Sequence, residues 1–448
     1  MDTAAASWEE DLERWLEPFR ALLNRPAQKQ RMAVYLKGLV LPGERKSLEP
    51  MAARVAPGDL QQLHHFLATS PWPAWRLEDE LIRQADALLG GPEALLVIDD
   101  TALVKQGRRS VGVARQYCGC LGKTANCQVL VSLTLARDEV PLPLVLRLFL
   151  PDAWVNDPAR CDQVGVPASR RRSLPKTELA LEELDRLLEM GVRFGPVAVD
   201  AGYGVSAAFR HGLSARGLSW TAGIPKKYGV YPASVALTWP ERTVGRPRKH
   251  PVPETHPVEA ATMLGDAAWR SISWRRGTKG PLRATFAALR VRPADDDAAA
   301  RDGIHLPGDE VWLVGEHRAT GEFKYYLSNL PAEATLERLA GLIKARWVCE
   351  QAHQQLKEEL GLDHLECRSW RALRHHVLLT TMAFAFLQQR RLGEKRRRGR
   401  IDRAGTTATT EPAGGATAPD RRADRDRDPL PGLPPSLRPS PTTLKVAR

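Results

Sequence analysis

Two short apolar runs each end in an aspartate, and this pattern constrains the fold more than any other feature of the chain. Ala94-Leu-Leu-Val-Ile runs into Asp99, and Pro196-Val-Ala-Val runs into Asp200. Runs this short, without helical spacing, read as strands buried in a core. An acid at the end of such a strand sits at the rim of a sheet, where it caps a helix, makes a turn or faces a site. A third acid, Glu350, stands inside a helical stretch, Arg346-Trp-Val-Cys-Glu-Gln-Ala-His-Gln-Gln-Leu-Lys357.

At 448 residues the chain exceeds what one hydrophobic core usually organises, so several domains are expected. Residues 1–88 read as a helical N-terminal domain. Trp8, Leu12, Trp15, Leu16 and Phe19 recur at spacings of three and four, and Pro42-Gly43 breaks a second apolar stretch from Ala33 to Leu41. From 89 to 204 strands take over, at 94–99, 127–136 and 140–149, with Arg137-Asp-Glu139 turning the last two into a hairpin. Pro175-Lys-Thr-Glu178 then opens an amphipathic helix that Gly191 closes, and the strand 196–200 follows. With the first and fourth strands side by side, Asp99 and Asp200 lie at adjacent strand ends, the arrangement of a ribonuclease-H-like core.

Residues 205–331 read as a β-rich insertion around Trp220, Trp269, Trp274 and Trp312, and these tryptophans as its core. Residues 332–391 return to the core, with one long helix over 335–360 and another over 370–391. Residues 392–448 have the composition of a disordered basic tail. The expected fold is therefore α/β: a ribonuclease-H-like catalytic core with a β-rich insertion, an N-terminal helical domain and a disordered basic C-terminal tail.

The formal charge is +12, and residues 391–448 hold 14 Lys/Arg against 7 Asp/Glu, so more than half of the excess lies in the tail. An isoelectric point near 9.6 favours a polyanionic partner, and nucleic acid is the usual one. Six cysteines without C-x-x-C spacing exclude a disulfide framework and argue against a zinc site. The N-terminus lacks a signal peptide's basic start and apolar core, and the longest apolar segment, 377–387, is about half of the roughly 20 residues a span needs. A soluble cytoplasmic protein with no membrane partner is expected.

On one helix, Arg346, Glu350, His353 and Lys357 share a sector of about 60°, while Ala345, Ala352, Leu356 and Leu360 fall elsewhere. The polar stripe can thus face a site while the other side packs. Such charges alone are better explained by a solvated helix face; the two upstream aspartates shift the balance. His64-His65 and His375-His376 flank apolar helix positions and read as packing or helix-face residues. Gly245-Arg-Pro-Arg-Lys249 reads either as a solvated basic loop or as an arm whose Arg246 and Arg248 enter an A·T-rich minor groove.

Several further segments carry a family resemblance: Val97-Ile-Asp-Asp-Thr101, Ser110-Val-Gly-Val-Ala-Arg-Gln-Tyr117, Asn126-Cys-Gln128, Leu150-Pro-Asp-Ala-Trp154, Val199-Asp-Ala-Gly-Tyr-Gly204, Gly277-Thr-Lys-Gly-Pro-Leu282 and Gly361-Leu-Asp-His364. With the Arg-x3-Glu-x6-Lys spacing they span about 95–387. The chain resembles the DDE transposases of bacterial insertion sequences that have a β-rich insertion before the catalytic glutamate and a Tyr-x2-Arg-x3-Glu-x6-Lys signature around it. Ile343 stands where that signature has its tyrosine.

The resemblance implies that Asp99, Asp200 and Glu350 are catalytic and hold two Mg²⁺ ions, for which Mn²⁺ can substitute, with Arg346 and Lys357 near DNA phosphates. It implies in-line attack on phosphodiesters that frees and joins the ends of an element, the helical N-terminal domain binding DNA. Double-stranded DNA is the expected partner, a homodimer on DNA the expected assembly, and the nucleoid the expected place. Asp99 and Asp100 point to opposite faces of a strand, so only one serves as a ligand; Asp99 is preferred. A competing reading is a catalytically inactive or domesticated DNA-binding protein derived from such an enzyme; another is a stand-alone nuclease of the same fold.

Overall fold

The computed structural model describes residues 7–239, 251–277, 280–296 and 305–407. Five helices come first: α1 (Trp8–Ala21), α2 (Pro26–Val40), α3 (Leu48–Val55), α4 (Leu60–His64) and α5 (Ala74–Leu89). The start of α1 follows from a capping box, in which the Ser7 hydroxyl accepts from Glu10 N–H and the Glu10 carboxylate accepts from Ser7 N–H. Its buried stripe is Leu12, Trp15, Leu16 and Phe19, the positions the spacing singles out.

Strands β1 (Leu95–Val104), β2 (Ala114–Cys118), β3 (Lys123–Arg137) and β4 (Val140–Leu148) follow. β1 runs five residues past Asp99, further than expected, because β3 pairs with it as far as Val104↔Cys127. Asp99 is thus an interior strand residue and not a strand terminus. The β3–β4 hairpin turns through Asp138 and Glu139, both with positive φ (50° and 64°), the geometry of a two-residue turn that matches strand twist.

Helices α6 (Asp152–Val155), α7 (Pro158–Val164) and α8 (Lys176–Glu189) lead to β5 (Val197–Val199), and α9 (Ala201–Gly204) and α10 (Ala207–Ala215) lead to β6 (Trp220–Ile224). β5 pairs parallel with β1 and with β6. β6 therefore completes the parallel part of the sheet.

Next come β7 (Gly229–Pro232), β8 (Leu237–Thr238), β9 (Val252–Pro253), β10 (Val258–Glu259), α11 (Ala260–Met263), β11 (Arg270–Gly277), β12 (Gly280–Asp296), β13 (Leu306–Pro307), β14 (Val311–His317) and β15 (Phe323–Ser328). These strands do not form a separate layer. β15 pairs with β6, giving one mixed sheet in the order β10-β7-β12-β14-β15-β6-β5-β1-β3-β2, with β4 on β3 and both β11 and β13 on β12.

Helices α12 (Leu336–Ala345), α13 (Trp347–Glu358) and α14 (Trp370–Thr407) close the described chain. The single helix expected over 335–360 is broken at Arg346, where Cys349 N–H bonds the Arg346 carbonyl three residues back. α14 continues to Thr407, beyond the expected boundary at 391. Leu392 packs on the core and Arg390 pairs with Asp11 at 3.2 Å, which gives the helix tertiary support there. The remainder of the expected tail lies outside the described residues. No described helix is long and apolar enough to cross a membrane.

Candidate active site

Side chains alternate along β1, so Leu95, Val97 and Asp99 share one face. Leu95 and Val97 pack with Ala198 of β5 and with Leu339, Ile343 and Cys349 from α12 and α13. Leu96 and Ile98 join the main core on the other face. The last registered pair of β1 and β5 is Ile98↔Val199, so Asp99 and Asp200 follow side by side at the next step, on the face that α12 and α13 cover.

Asp200 also caps the turn after β5, its carboxylate accepting from Tyr203 N–H at 3.2 Å. Two glycines let that turn lie flat on β6. A Cβ at Gly204 would stand 2.0 Å from the Gly223 carbonyl, and one at Gly223 2.8 Å from the Ala201 nitrogen. The Asp-Ala-Gly-Tyr-Gly run thus has a steric reason.

Arg346, at the break between α12 and α13, donates to Asp99 Oδ2 at 2.7 Å and also to Glu350 Oε1. Asp99 is buried and Glu350 is largely exposed. Burial, with Asp200 and Glu350 adding like charge, pushes the Asp99 carboxyl up to about 7 against the opposing pull of Arg346. Burial alone would lower the Arg346 pKa, but Asp99, Glu350 and Asp200 outweigh it and raise it. A guanidinium thus bridges Asp99 and Glu350, with the charge of Asp200 acting on it as well, so this place favours positive charge.

Asp100 faces the opposite side. Lys176 donates to its Oδ2 and the Tyr203 hydroxyl to its Oδ1, each at 2.5 Å. Burial, followed by the charge of Asp100, raises the Tyr203 pKa well above its ordinary value, so its proton stays for that bond. Neither Lys176 nor Tyr203 stands out in the sequence as a partner of Asp100.

His353 leaves the polar stripe on which the helical wheel places it and lies buried beneath Asp99. Its Nε2 is 2.8 Å from the Ser132 hydroxyl, which donates in turn to the Asp99 carbonyl, so Nε2 carries the hydrogen. Burial, with Lys357 and Arg346 adding to it, drives the ring pKa down to about 3. Lys357 sits half-buried one turn further along α13. Arg246 and Arg248 lie outside the described residues.

Two donor sets around Asp99 can be compared. Asp99, Cys349 and His353 bring one ligand atom each to within 4.8 Å of one another. However, burial pushes the Cys349 thiol up to about 12, and the His353 nitrogen is committed to Ser132. A protonated thiol does not serve a hard cation. The carboxylates of Asp99, Asp200 and Glu350 are oxygen donors of the kind Mg²⁺ takes, and they fit it.

A groove beside Glu350 runs between α12–α13 and the strands β11–β15, with Trp274, Arg283, Arg318, Lys324 and Trp347 along it. Lys344 lies 4.5 Å over Trp274, and Arg275 4.6 Å over Trp347. Sequence spacing gives no sign of this groove, because its two walls come from separate segments, 274–326 and 343–350.

Comparison with known proteins gives the class to which the chain belongs. A family model described as DDE superfamily endonuclease matches residues 18–281, and the chain belongs to that family. Asp99 and Asp200 lie within the match and Glu350 beyond it. The probable transposase for insertion sequence element IS701 of Microchaete diplosiphon is 32% identical over 169 residues, which are 38% of this chain and 41% of that relative. Less than half of the relative's length is therefore spanned. Among solved structures, a piggyBac transposase synaptic complex with hairpin DNA matches with a TM-score of 0.39 and 9% identity, covering 86% of this chain and 72% of that one. A likeness that loose has no bearing on the site.

Proposed function

We propose that this chain is a DNA transposase that cleaves and joins the ends of an insertion sequence by metal-dependent phosphoryl transfer on double-stranded DNA. The observation that carries the reading is the convergence of Asp99 and Asp200, on one sheet face, with Glu350 across the shared Arg346. Family membership supports the nuclease class, and the IS701 relative supports transposition.

In this reading Asp99, Asp200 and Glu350 hold two Mg²⁺ ions, which, when bound, activate the attacking oxygen and stabilise the leaving one. Arg346 keeps the Asp99 and Glu350 carboxylates in place, and its charge is available to a phosphate. Lys357, on the same helix, contacts a flanking phosphate. The order β4-β3-β1-β5-β6, parallel over its last three strands, is read as a ribonuclease-H-like core, with residues 1–88 as a DNA-binding domain and strands β7–β15 as the insertion. A homodimer on DNA, associated with the bacterial nucleoid, completes the proposal.

The test is cleavage of a duplex that bears the element end, with Mg²⁺ or Mn²⁺, compared with a random duplex. End-dependent nicking and strand joining are expected, and Asp99→Asn, Asp200→Asn and Glu350→Gln should each abolish both while DNA binding persists. Binding without nicking by the unaltered protein would identify a silent DNA-binding protein instead. Equal cutting of both duplexes would identify a simple nuclease.

A further inference from the structure

β4 pairs only with β3 among the described strands, so one of its edges is free. Along that edge lies a narrow cleft of about 70 Å³, open at its mouth. Leu146, Arg147 and Leu148 all line it, and alternation sends these three side chains to both faces, so the cleft wraps the edge. Its walls are apolar, with Leu174 and Leu179 on the α8 side and Leu373 and Val377 from α14. Three further arginines, Arg170, Arg172 and Arg374, also line it.

The charge around this cleft is unevenly satisfied. Arg147 bonds Glu78 and Glu183, and Arg186 bonds Glu78, Asp79 and Glu183, so these acids are already engaged. Arg172 pairs with Glu182. The side chains of half-buried Arg374 and exposed Arg170 make no hydrogen bond or ion pair among the described residues. Burial, then the charge of Arg147, lowers the Arg374 pKa; Glu78, already bonded to Arg147 and Arg186, opposes this in part, and Arg170 and Arg186 add to the lowering. An incompletely solvated guanidinium among like charges is stabilised by an anion, and its planar fork matches a carboxylate or phosphate.

We propose that the cleft along the free edge of β4 binds a small amphipathic anion, a carboxylate or phosphate head on a short aliphatic body, with the head on Arg374 and Arg170 and the body between Leu148, Leu174, Leu179 and Val377. The backbone of DNA does not match this chemistry, since it offers phosphates and no aliphatic part to cover the leucine walls. The inference stands independently of the transposase reading.

Calorimetric titration of the full chain with octanoate and octyl phosphate, and separately with inorganic phosphate and 1-octanol, tests it. At least one of the two amphiphiles should bind at one site, at least tenfold more tightly than phosphate or octanol, and the stronger binder shows whether the head is carboxylate or phosphate. Arg374→Met should weaken that binding tenfold or more. Arg170→Met, at an exposed position that folding tolerates, should weaken it in the same direction. No saturable binding of either amphiphile, phosphate binding as tightly as octyl phosphate, or unchanged affinity in a folded Arg170→Met, Arg374→Met double variant would each overturn the assignment.

Discussion

Asp99 and Asp100 are adjacent acids with unrelated environments, and the strand alternation between them separates their consequences. Asp100→Asn loses the charge on which Lys176 and Tyr203 converge, so about 1–2 kcal/mol of stability should go while end cleavage remains. Asp99→Asn should reverse that pattern: cleavage lost, stability nearly unchanged. Urea denaturation beside a nicking assay measures both. His375 and His376 set a pH dependence. His375 stacks on Trp72 and donates from Nδ1 to the Leu67 carbonyl; His376 donates from Nε2 to the Gly361 carbonyl and accepts the Tyr35 hydroxyl at Nδ1. Burial lowers their pKa values to about 3 and about 4. The unfolded chain binds protons below the ordinary value of about 6.5 while the folded chain does not, so stability falls as pH drops from about 6.5 toward 4. At pH 5 the cost is on the order of 2 kcal/mol per histidine. Thermal melts between pH 7.5 and 5 should show this, and His376→Gln should make the slope shallower by about one proton.

Among the elements, the junction of α12 and α13 carries the most consequence, because it presents Arg346 and Glu350 together. It is tied to β14 by Glu316, which is fully buried and accepts from Lys344 at 2.6 Å, from Arg318 at 3.2 Å and from the Tyr326 hydroxyl at 2.9 Å. Burial would raise its carboxyl, yet Lys344 and Arg318 outweigh burial and hold the pKa below its usual range. Glu316→Gln leaves two cations short of a counter-charge inside the protein. A loss of about 3 kcal/mol is expected in denaturant unfolding, together with weaker cleavage from a less well placed Glu350. An unaltered midpoint would show that the tie is dispensable.

For the whole molecule, one sheet runs from the β10 side to β2, so strands β7–β15 and β1–β6 share hydrogen bonds through β6 and β15. α14 packs its apolar face against α2, α5 and β4, which joins the N-terminal helices to the core. Truncation after Arg391 removes Leu392 from that packing and should cost about 1–2 kcal/mol. Truncation after Thr407 should leave the melting transition in place, weaken DNA binding and flatten its salt dependence, because basic residues that meet phosphates are lost. Equal melting of the two truncations would remove α14's last turns from the fold's support.

The strands beside Asp99 and Asp200 and the buried stripe of α1 were legible in the sequence, because periodicity, capping residues and acids that follow apolar runs are local signals. The grouping of Asp99, Asp200 and Glu350 is what the family resemblance implies. Which face each acid takes, and what it meets, came only from tertiary structure: Asp100 held by Lys176 and Tyr203, His353 turned under Asp99 through Ser132, Arg346 set at a helix break. Those contacts join residues 33 to 247 positions apart, and the packing of sheet against helix that creates them has no periodic trace in the chain.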